Sequence, residues 1–272
     1  MVSNSLDSFS VIILAAGKGT RLLPLTEEWP KCLMPINGRP LLEYWLDYIN
    51  FLGFKTVFVN THFKADEVSA FLKRSKYKYR VKEFYENNLL GTAGTLREIS
   101  KVYPNNRTLL IHGDNWSCAN LNEFIDFHLN NRPKNVSMSM MVFKAENPSN
   151  CGIVEINKNI VVKFHEKVEN PPGDLANAAI YILEPEVTDW LVNNPSLNDF
   201  STEVIPRWLN KIAVWENKNI HRDIGTIEDL VKSQSDHCKK HLIVTEDEWE
   251  RSFLSNPIHQ KFKTLQNFEE KQ

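Results

Sequence analysis

Apolar residues along this chain alternate between two periods. "VIILAAG" is a short β-branched run without a polar break, while in "PLLEYWLDYINFLGF" the residues Leu41, Leu42, Trp45, Tyr48, Ile49 and Leu52 recur on one face at helical spacing. The pattern predicts a strand followed by a helix, and it repeats: strand "KTVFVNTH", helix "KADEVSAFLKRS", strand "KYRVKEFY", helix "TAGTLREISKVY", strand "TLLIHGDN". Strands alternating with helices predict an α/β fold with a mostly parallel sheet flanked by helices. After Asn131 the spacing tightens, and "NVSMSMMVF", "CGIVEIN", "NIVVKFHE" and "LANAAIYIL" read as closely spaced strands forming a smaller β-rich portion. From about residue 198 helical text returns in "STEVIPRWLN", followed by strand "IAVWE" and helix "TIEDLVKSQSDHCKK". The expected organisation is one domain over 1–235, with a first half at about 10–130, the β-rich portion at 131–200 and a closing segment at 201–235. Residues 236–272 are expected to append one or two helices.

Composition narrows the classes. With 272 residues and 42% apolar content the chain can bury a sizeable core. A net charge of −2, without a long single-sign run, argues against a general nucleic-acid binder. No window approaches the roughly 18 consecutive apolar residues of a membrane helix. The leader "MVSNSLDSFS" lacks the marks of a signal peptide. Cys32, Cys118, Cys151 and Cys238 are too far apart for a CxxC motif. A cytoplasmic protein with reduced thiols is expected.

Ligands of open α/β sheets bind outside the carboxyl ends of strands, which draws attention to "AAGKGTR" after the first strand. Gly17 and Gly19 free backbone N–H groups to turn toward an anion, and Arg21 can fork two hydrogen bonds onto phosphate oxygens. The stretch fits neither GxGxxG nor a P-loop, so a triphosphate stands against a plain strand-to-helix turn. Lys31 lies between Pro30 and Pro35, which stiffen its approach and departure. An ammonium fixed there can neutralise charge growing on a phosphorus centre. Asp114 ends "LLIHGD" and Asp223 stands in "HRDIGT" before a helix. Each alone reads as a turn or cap residue, but two converging carboxylates would hold Mg²⁺.

The stretch "LAAGKGTRLLPLTEEWPKCLMPINGRPLLEY" resembles the signature of the sugar-phosphate nucleotidyltransferases, the NDP-sugar pyrophosphorylases, and the likeness continues in order through "LLGTAGTL", "GDN", "CGIVEI", "FHEK", "NAAIYI", "DFSTEVIP" and "DIGT". The resemblance covers roughly residues 10 to 235. It implies a Rossmann-like fold and a reaction in which an NTP and a sugar 1-phosphate give an NDP-sugar and pyrophosphate. It further implies that Leu14, Ala15, Ala16, Gly17, Gly19, Thr20 and Arg21 hold the nucleotide, Arg21 and Lys31 act catalytically, and Asp114 and Asp223 bind Mg²⁺. Gly152, Glu166, Lys167 and Asn177 match the sugar-phosphate pocket. Departures fall on the sugar side, where the family often has Tyr-Gly, Glu-Lys-Pro and Asn-Ala-Gly but this chain has Cys151-Gly152, Glu166-Lys167-Val168 and Asn177-Ala178-Ala179.

For the base, "FYENNLLGTAGTL" is the expected reader, through Glu86, Gly91, Thr92 and Ala93. Members using dTTP or UTP often carry a glutamine upstream of this glycine. Here Glu86 is nearby, and an acceptor-only carboxylate suits the N1–H and N2–H₂ donors of guanine. "LGTAGTL" also looks most like the guanylyltransferases for mannose-type and manno-heptose 1-phosphates, so GTP is the expected nucleotide. The competing readings are a pyrophosphorylase using dTTP, UTP or CTP, a cytidylyltransferase for a non-sugar phosphate, and a non-catalytic nucleotide-sugar sensor. The expected partners are the NTP and the sugar 1-phosphate, with no nucleic acid or membrane, and the sequence is compatible with a homo-oligomer.

Overall fold

The computed structural model describes residues 6–77, 80–238, 243 and 246–269. Lys78, Tyr79, Lys239 and Lys240, at the edges of two expected elements, lie outside the described residues, as do the first five and last three of the chain. The strands are β1 (Phe9–Leu14), β2 (Pro35–Ile36), β3 (Arg39–Pro40), β4 (Val57–Thr61), β5 (Val81–Tyr85), β6 (Arg107–His112), β7 (Asn115–Ser117), β8 (Met138–Lys144), β9 (Gly152–Asn157), β10 (Ile160–Glu166), β11 (Leu175–Leu183), β12 (Ile212–Glu216) and β13 (His221–Asp223). The helices are α1 (Leu41–Leu52), α2 (Ala65–Leu72), α3 (Gly91–Val102), α4 (Leu121–Asp126), α5 (Pro185–Val192), α6 (Ile227–Gln234), α7 (Glu248–Leu254) and α8 (Pro257–Glu269).

The chain forms two compact units, each assembled from separate stretches. The first comprises the chain up to Ile12, Leu90–His112 and Ala119–His221; the second comprises Ile13–Leu89, Gly113–Cys118 and the chain from Arg222. In the first, the strand order is β6-β11-β8-β12-β10-β9. β11 runs antiparallel to β6 and β8, β12 parallel to β8, and β10 antiparallel to β12 and β9. Leu109, Ile111, Met138, Met140, Ile180 and Ile182 are fully buried, as expected of near-continuous apolar strands that need cover on both faces. In the second unit β4 and β5 pair in parallel, joined through α2, the crossover that parallel strands require. The fold is α/β with a mixed sheet and flanking helices, and the 131–200 stretch supplies closely spaced strands.

Three features were not legible in the apolar pattern. "STEVIPRWLN" forms only a wide π-helical turn over Phe200–Val204 and a tight 3₁₀ turn over Ile205–Arg207, where Pro206 lacks the donor a regular helix needs. The polar side of α1 is buried as well: Glu43 is 1% and Asp47 0% exposed, because Arg74 and Lys76 pair with Glu43 and Lys76 approaches Asp47. Cys118 and Cys238, separated by 120 residues, form a disulfide, which corrects the expectation that all thiols are reduced; Cys32 and Cys151 are free. Among the described residues no helix is long and apolar enough to cross a membrane.

Candidate active site

The buried strand β1 delivers the glycine loop. Gly19 sits at φ 63°, and a Cβ there would lie 2.9 Å from both Lys31 Cβ and Thr26 Cγ2. Glycine is therefore required twice, by the left-handed backbone and by the close passage of the Lys31 stem. Thr26 Oγ1 donates to Gly19 O at 2.9 Å and fastens the loop from below. Gly17, by contrast, opens onto space, with no atom within 4 Å of where its Cβ would be. Thr20 and Arg21 are exposed beside it.

Lys31 begins a single tight turn, Lys31–Leu33, after extended Pro30. Its side chain is 9% exposed, and its Nζ donates to Asp114 Oδ2 at 2.7 Å and to Asp223 Oδ1 at 3.1 Å. Burial acts to depress its pKa, but the two carboxylates outweigh that and hold it above the ordinary lysine value. Arg21 Nη2 reaches the other oxygen of Asp223 at 2.8 Å.

The acids are brought together by backbone. A Cβ on Gly113 would lie 2.7 Å from Ile13 Cγ2, and Gly113 N donates to Leu14 O at 2.8 Å, so glycine lets this segment lie against the end of β1. Asp114 follows directly. β7 pairs with β13, and Ile224 N donates to Asp114 O, which draws in Asp223. Asp223 is not the cap of α6. Thr226 caps it, accepting from Asp229 N, while Asp229 Oδ2 accepts from Thr226 N. The cap reading of Asp223 is thereby replaced by an ion pair.

Glu86 belongs to a buried chain. It is 2% exposed, and its Oε1 accepts from Asn60 Nδ2 at 2.8 Å, while Asn60 Oδ1 accepts from Ala15 N at 2.6 Å. Asn60 was missed in the sequence because nothing in a strand interior marks it as a loop support.

The remaining predicted residues lie in the first unit. Gly91 has φ 78°, and a Cβ there would sit 2.3 Å from Asn198 O. Thr92 Oγ1 accepts from Phe200 N, and Ala93 N donates to Asn198 O. Gly152 opposes Glu166 across β9 and β10, and a Cβ on Gly152 would stand 2.7 Å from Glu166 Oε2. Burial raises the Glu166 pKa, against the pull of Lys167. Lys167 has φ 48° and an exposed ammonium 3.6 Å from Glu166 Oε1. Asn177 Nδ2 donates to Tyr181 Oη at 2.6 Å, and its Oδ1 accepts from Ala179 N at 3.0 Å, within the irregular stretch of β11 between Asn177 and Tyr181. Ala179 takes φ 52°, which explains the glycine the family often places there. Tyr181 and Asp199 complete this cluster electrostatically; Asp199 stands in "DFSTEVIP", a motif seen in the sequence without a role being given to its acid.

Comparison with known proteins decides the family. The nucleotidyl transferase family matches residues 10–240. The chain belongs to the nucleotidyl transferase family. It is 31% identical over 242 residues to a protein of Mycobacterium tuberculosis named mannose-1-phosphate guanylyltransferase, covering 87% of this chain and 66% of that relative. It is 28% identical over 222 residues to the D-glycero-alpha-D-manno-heptose 1-phosphate guanylyltransferase of Campylobacter jejuni, covering 80% of this chain and 95% of the relative. This chain spans less than two thirds of the mannose-1-phosphate relatives' length. Among solved structures, HddC of Yersinia pseudotuberculosis, complexed with GMP-PN, shares the fold with a TM-score of 0.69 at 23% identity, covering 83% of this chain and 97% of that one.

Proposed function

We propose that this chain transfers a nucleotidyl group from GTP to a sugar 1-phosphate and releases pyrophosphate. The observation that carries the reading is the Lys31 ammonium, kept charged and 9% exposed between Asp114 and Asp223, with its stem pressed against Gly19. A preorganised cation is what stabilises charge developing on a phosphoryl group.

In this reading the open backbone at Gly17 and the exposed Thr20 and Arg21 receive the triphosphate, and Lys31 meets the α-phosphoryl. Leu14, Ala15 and Ala16 shape the strand end beneath. Lys167 aligns the sugar phosphate, while Gly152, Glu166 and Asn177 hold the sugar. A phosphate oxygen of the sugar 1-phosphate attacks the α-phosphorus in line, the bond to the β-phosphate oxygen breaks, and pyrophosphate carries away the electron pair. No covalent enzyme intermediate is required.

In this reading Asp114 and Asp223, whose carboxylates meet at the Lys31 ammonium and are 36% and 48% exposed, would also hold Mg²⁺, an ion that takes one or two carboxylates with phosphate oxygens and waters. Bound there, it would neutralise phosphate charge. For the base, support comes from the relatives named guanylyltransferases. We place Gly91, Thr92 and Ala93 as the wall beside the ring. Glu86, buried and accepting from Asn60 Nδ2, we assign to orienting Asn60, whose Oδ1 holds the Ala15 amide, rather than to direct base contact, revising the expectation from sequence.

The test is a matrix of four NTPs against sugar 1-phosphates and choline phosphate, read by pyrophosphate release. GTP is expected to exceed dTTP, UTP and CTP about tenfold or more in kcat/KM, the discrimination open to a site shaped for one base, a preference that rests on the relatives named guanylyltransferases. Better use of dTTP or UTP overturns the base. Turnover only with choline phosphate overturns the acceptor, and nucleotide-sugar binding without pyrophosphate release identifies a sensor.

A further inference from the structure

Lys31 stands on a weak local structure. The turn Lys31–Leu33 has no side-chain cap at Pro30, and turns of this kind draw little stability from their own hydrogen bonds. A side chain just ahead of the turn braces it. Trp29 Nε1 donates to Leu33 O at 2.9 Å and closes the turn from its amino side. The indole of Trp29 then packs on Phe253 of α7, ring centroids 5.9 Å apart at 31°. Phe253 is 2% exposed and stacks on Trp249 at 5.1 Å and 15°. Trp249 meets Phe71 edge-on at 4.9 Å and lies 5.0 Å beneath the Arg74 guanidinium. Beside this column Lys261 of α8 donates to Glu28 Oε1 at 2.6 Å, three residues before Lys31.

The far end of the column is anchored. Arg74, with a side chain 2% exposed, spends Nη1 on Glu43, Nε on Asp247 and Nη2 on Glu250. Asp247 also caps α7, accepting from Glu250 N. A buried guanidinium whose three nitrogens meet three carboxylates is costly to disturb, which makes α7 a fixed wall. The segment lies beyond the 10–240 stretch matched by the family, and the nucleotidyl-transfer reading gave it no task.

We propose that Trp29 and Phe253 are positioning residues for Lys31, and that α7 and α8 serve as the wall that fixes the height of its ammonium between Asp114 and Asp223. Placement to within a fraction of an ångström is what separates a productive cation from a merely nearby one. The kinetic part of the test rests on the nucleotidyl-transfer reading; the labelling part does not.

The experiment compares wild type, Trp29→Phe, Phe253→Ala and Leu191→Ala, the last removing a fully buried side chain of α5 in the other unit as a control for general destabilisation. Trp29→Phe keeps an aromatic ring beside Phe253 and removes the indole N–H together with the five-membered ring, so it addresses the case in which Phe253→Ala does not fold. In the protein without substrates, acetic anhydride modification of Lys31 is followed by peptide mass spectrometry against exposed Lys167 as internal reference. Lys31 is expected to react at least fivefold faster in Trp29→Phe and Phe253→Ala, with Lys167 unchanged and Leu191→Ala like wild type. In the pyrophosphate assay kcat should fall at least fivefold while KM for the NTP stays within twofold. Lys31 reactivity within twofold of wild type in both variants, or an equal rise in Leu191→Ala, overturns the proposal. The predicted labelling with no pyrophosphate release by wild type overturns the nucleotidyl-transfer reading and leaves the positioning role standing.

Discussion

Replacing Lys31 by alanine removes the cation that two carboxylates share, and its two consequences can be sized separately. For turnover, loss of one preorganised donor to a charged transition state costs about 3 kcal/mol, roughly a hundredfold in kcat. For stability, breaking a buried pair costs about 3–5 kcal/mol when the abandoned charge stays buried. Here Asp114 and Asp223 are 36% and 48% exposed, so water takes over much of the solvation and the loss shrinks to about 1–2 kcal/mol. The variant should therefore fold and melt a few degrees lower, while kcat falls far more than NTP affinity. Stopped-assay pyrophosphate release gives kcat, and equilibrium binding of a non-hydrolysable NTP analogue gives affinity. The pH dependence is fixed as well. The pKa of Lys31 is raised in the folded chain, so its stabilisation is fully present below the ordinary value of 10.5 and is lost only above it. No Lys31-linked change in activity or melting is expected from pH 6 to pH 9. Turnover within twofold of wild type, or a Lys31-dependent titration near neutrality, would refute the reasoning.

Three further outcomes follow from the same geometry. Asp223→Asn should abolish turnover yet melt close to wild type, whereas Thr226→Ala should lose about 1 kcal/mol from the α6 cap and stay active; the reverse assignment of effects would restore Asp223 as a cap. Ala179→Gly relieves a left-handed backbone at φ 52° and should raise stability by up to about 1 kcal/mol, read as a higher melting temperature, while a lower one would mean that the methyl packs favourably. Unfolded in denaturant without reductant, the protein should titrate two free thiols, Cys151 and the buried Cys32, and Cys238→Ser should lower stability by about 2–5 kcal/mol, as expected for a bridge closing a 120-residue separation; four free thiols would remove the bridge.

The sequence alone determined much of this protein, because local signals settle local structure. The alternation of periods placed β1, α1, β4, α2 and the strands from β8 to β11, and the ordered motifs named Lys31, Asp114, Asp223, Glu166 and Asn177 as candidates one by one. It could not show that Asp223 leaves the cap of α6 to Thr226, since both residues are good caps and only the position of Lys31 decides between them. Nor could it place Glu86, whose carboxylate turns inward because Asn60, 26 residues away, offers it a donor. The Cys118–Cys238 bridge, the burial of Glu43 and Asp47, and the aromatic column from Phe71 to Trp29 join residues far apart in the chain. Pairings of that kind carry no period and no spacing rule; they exist only once the backbone has folded, and so the tertiary structure alone decided them.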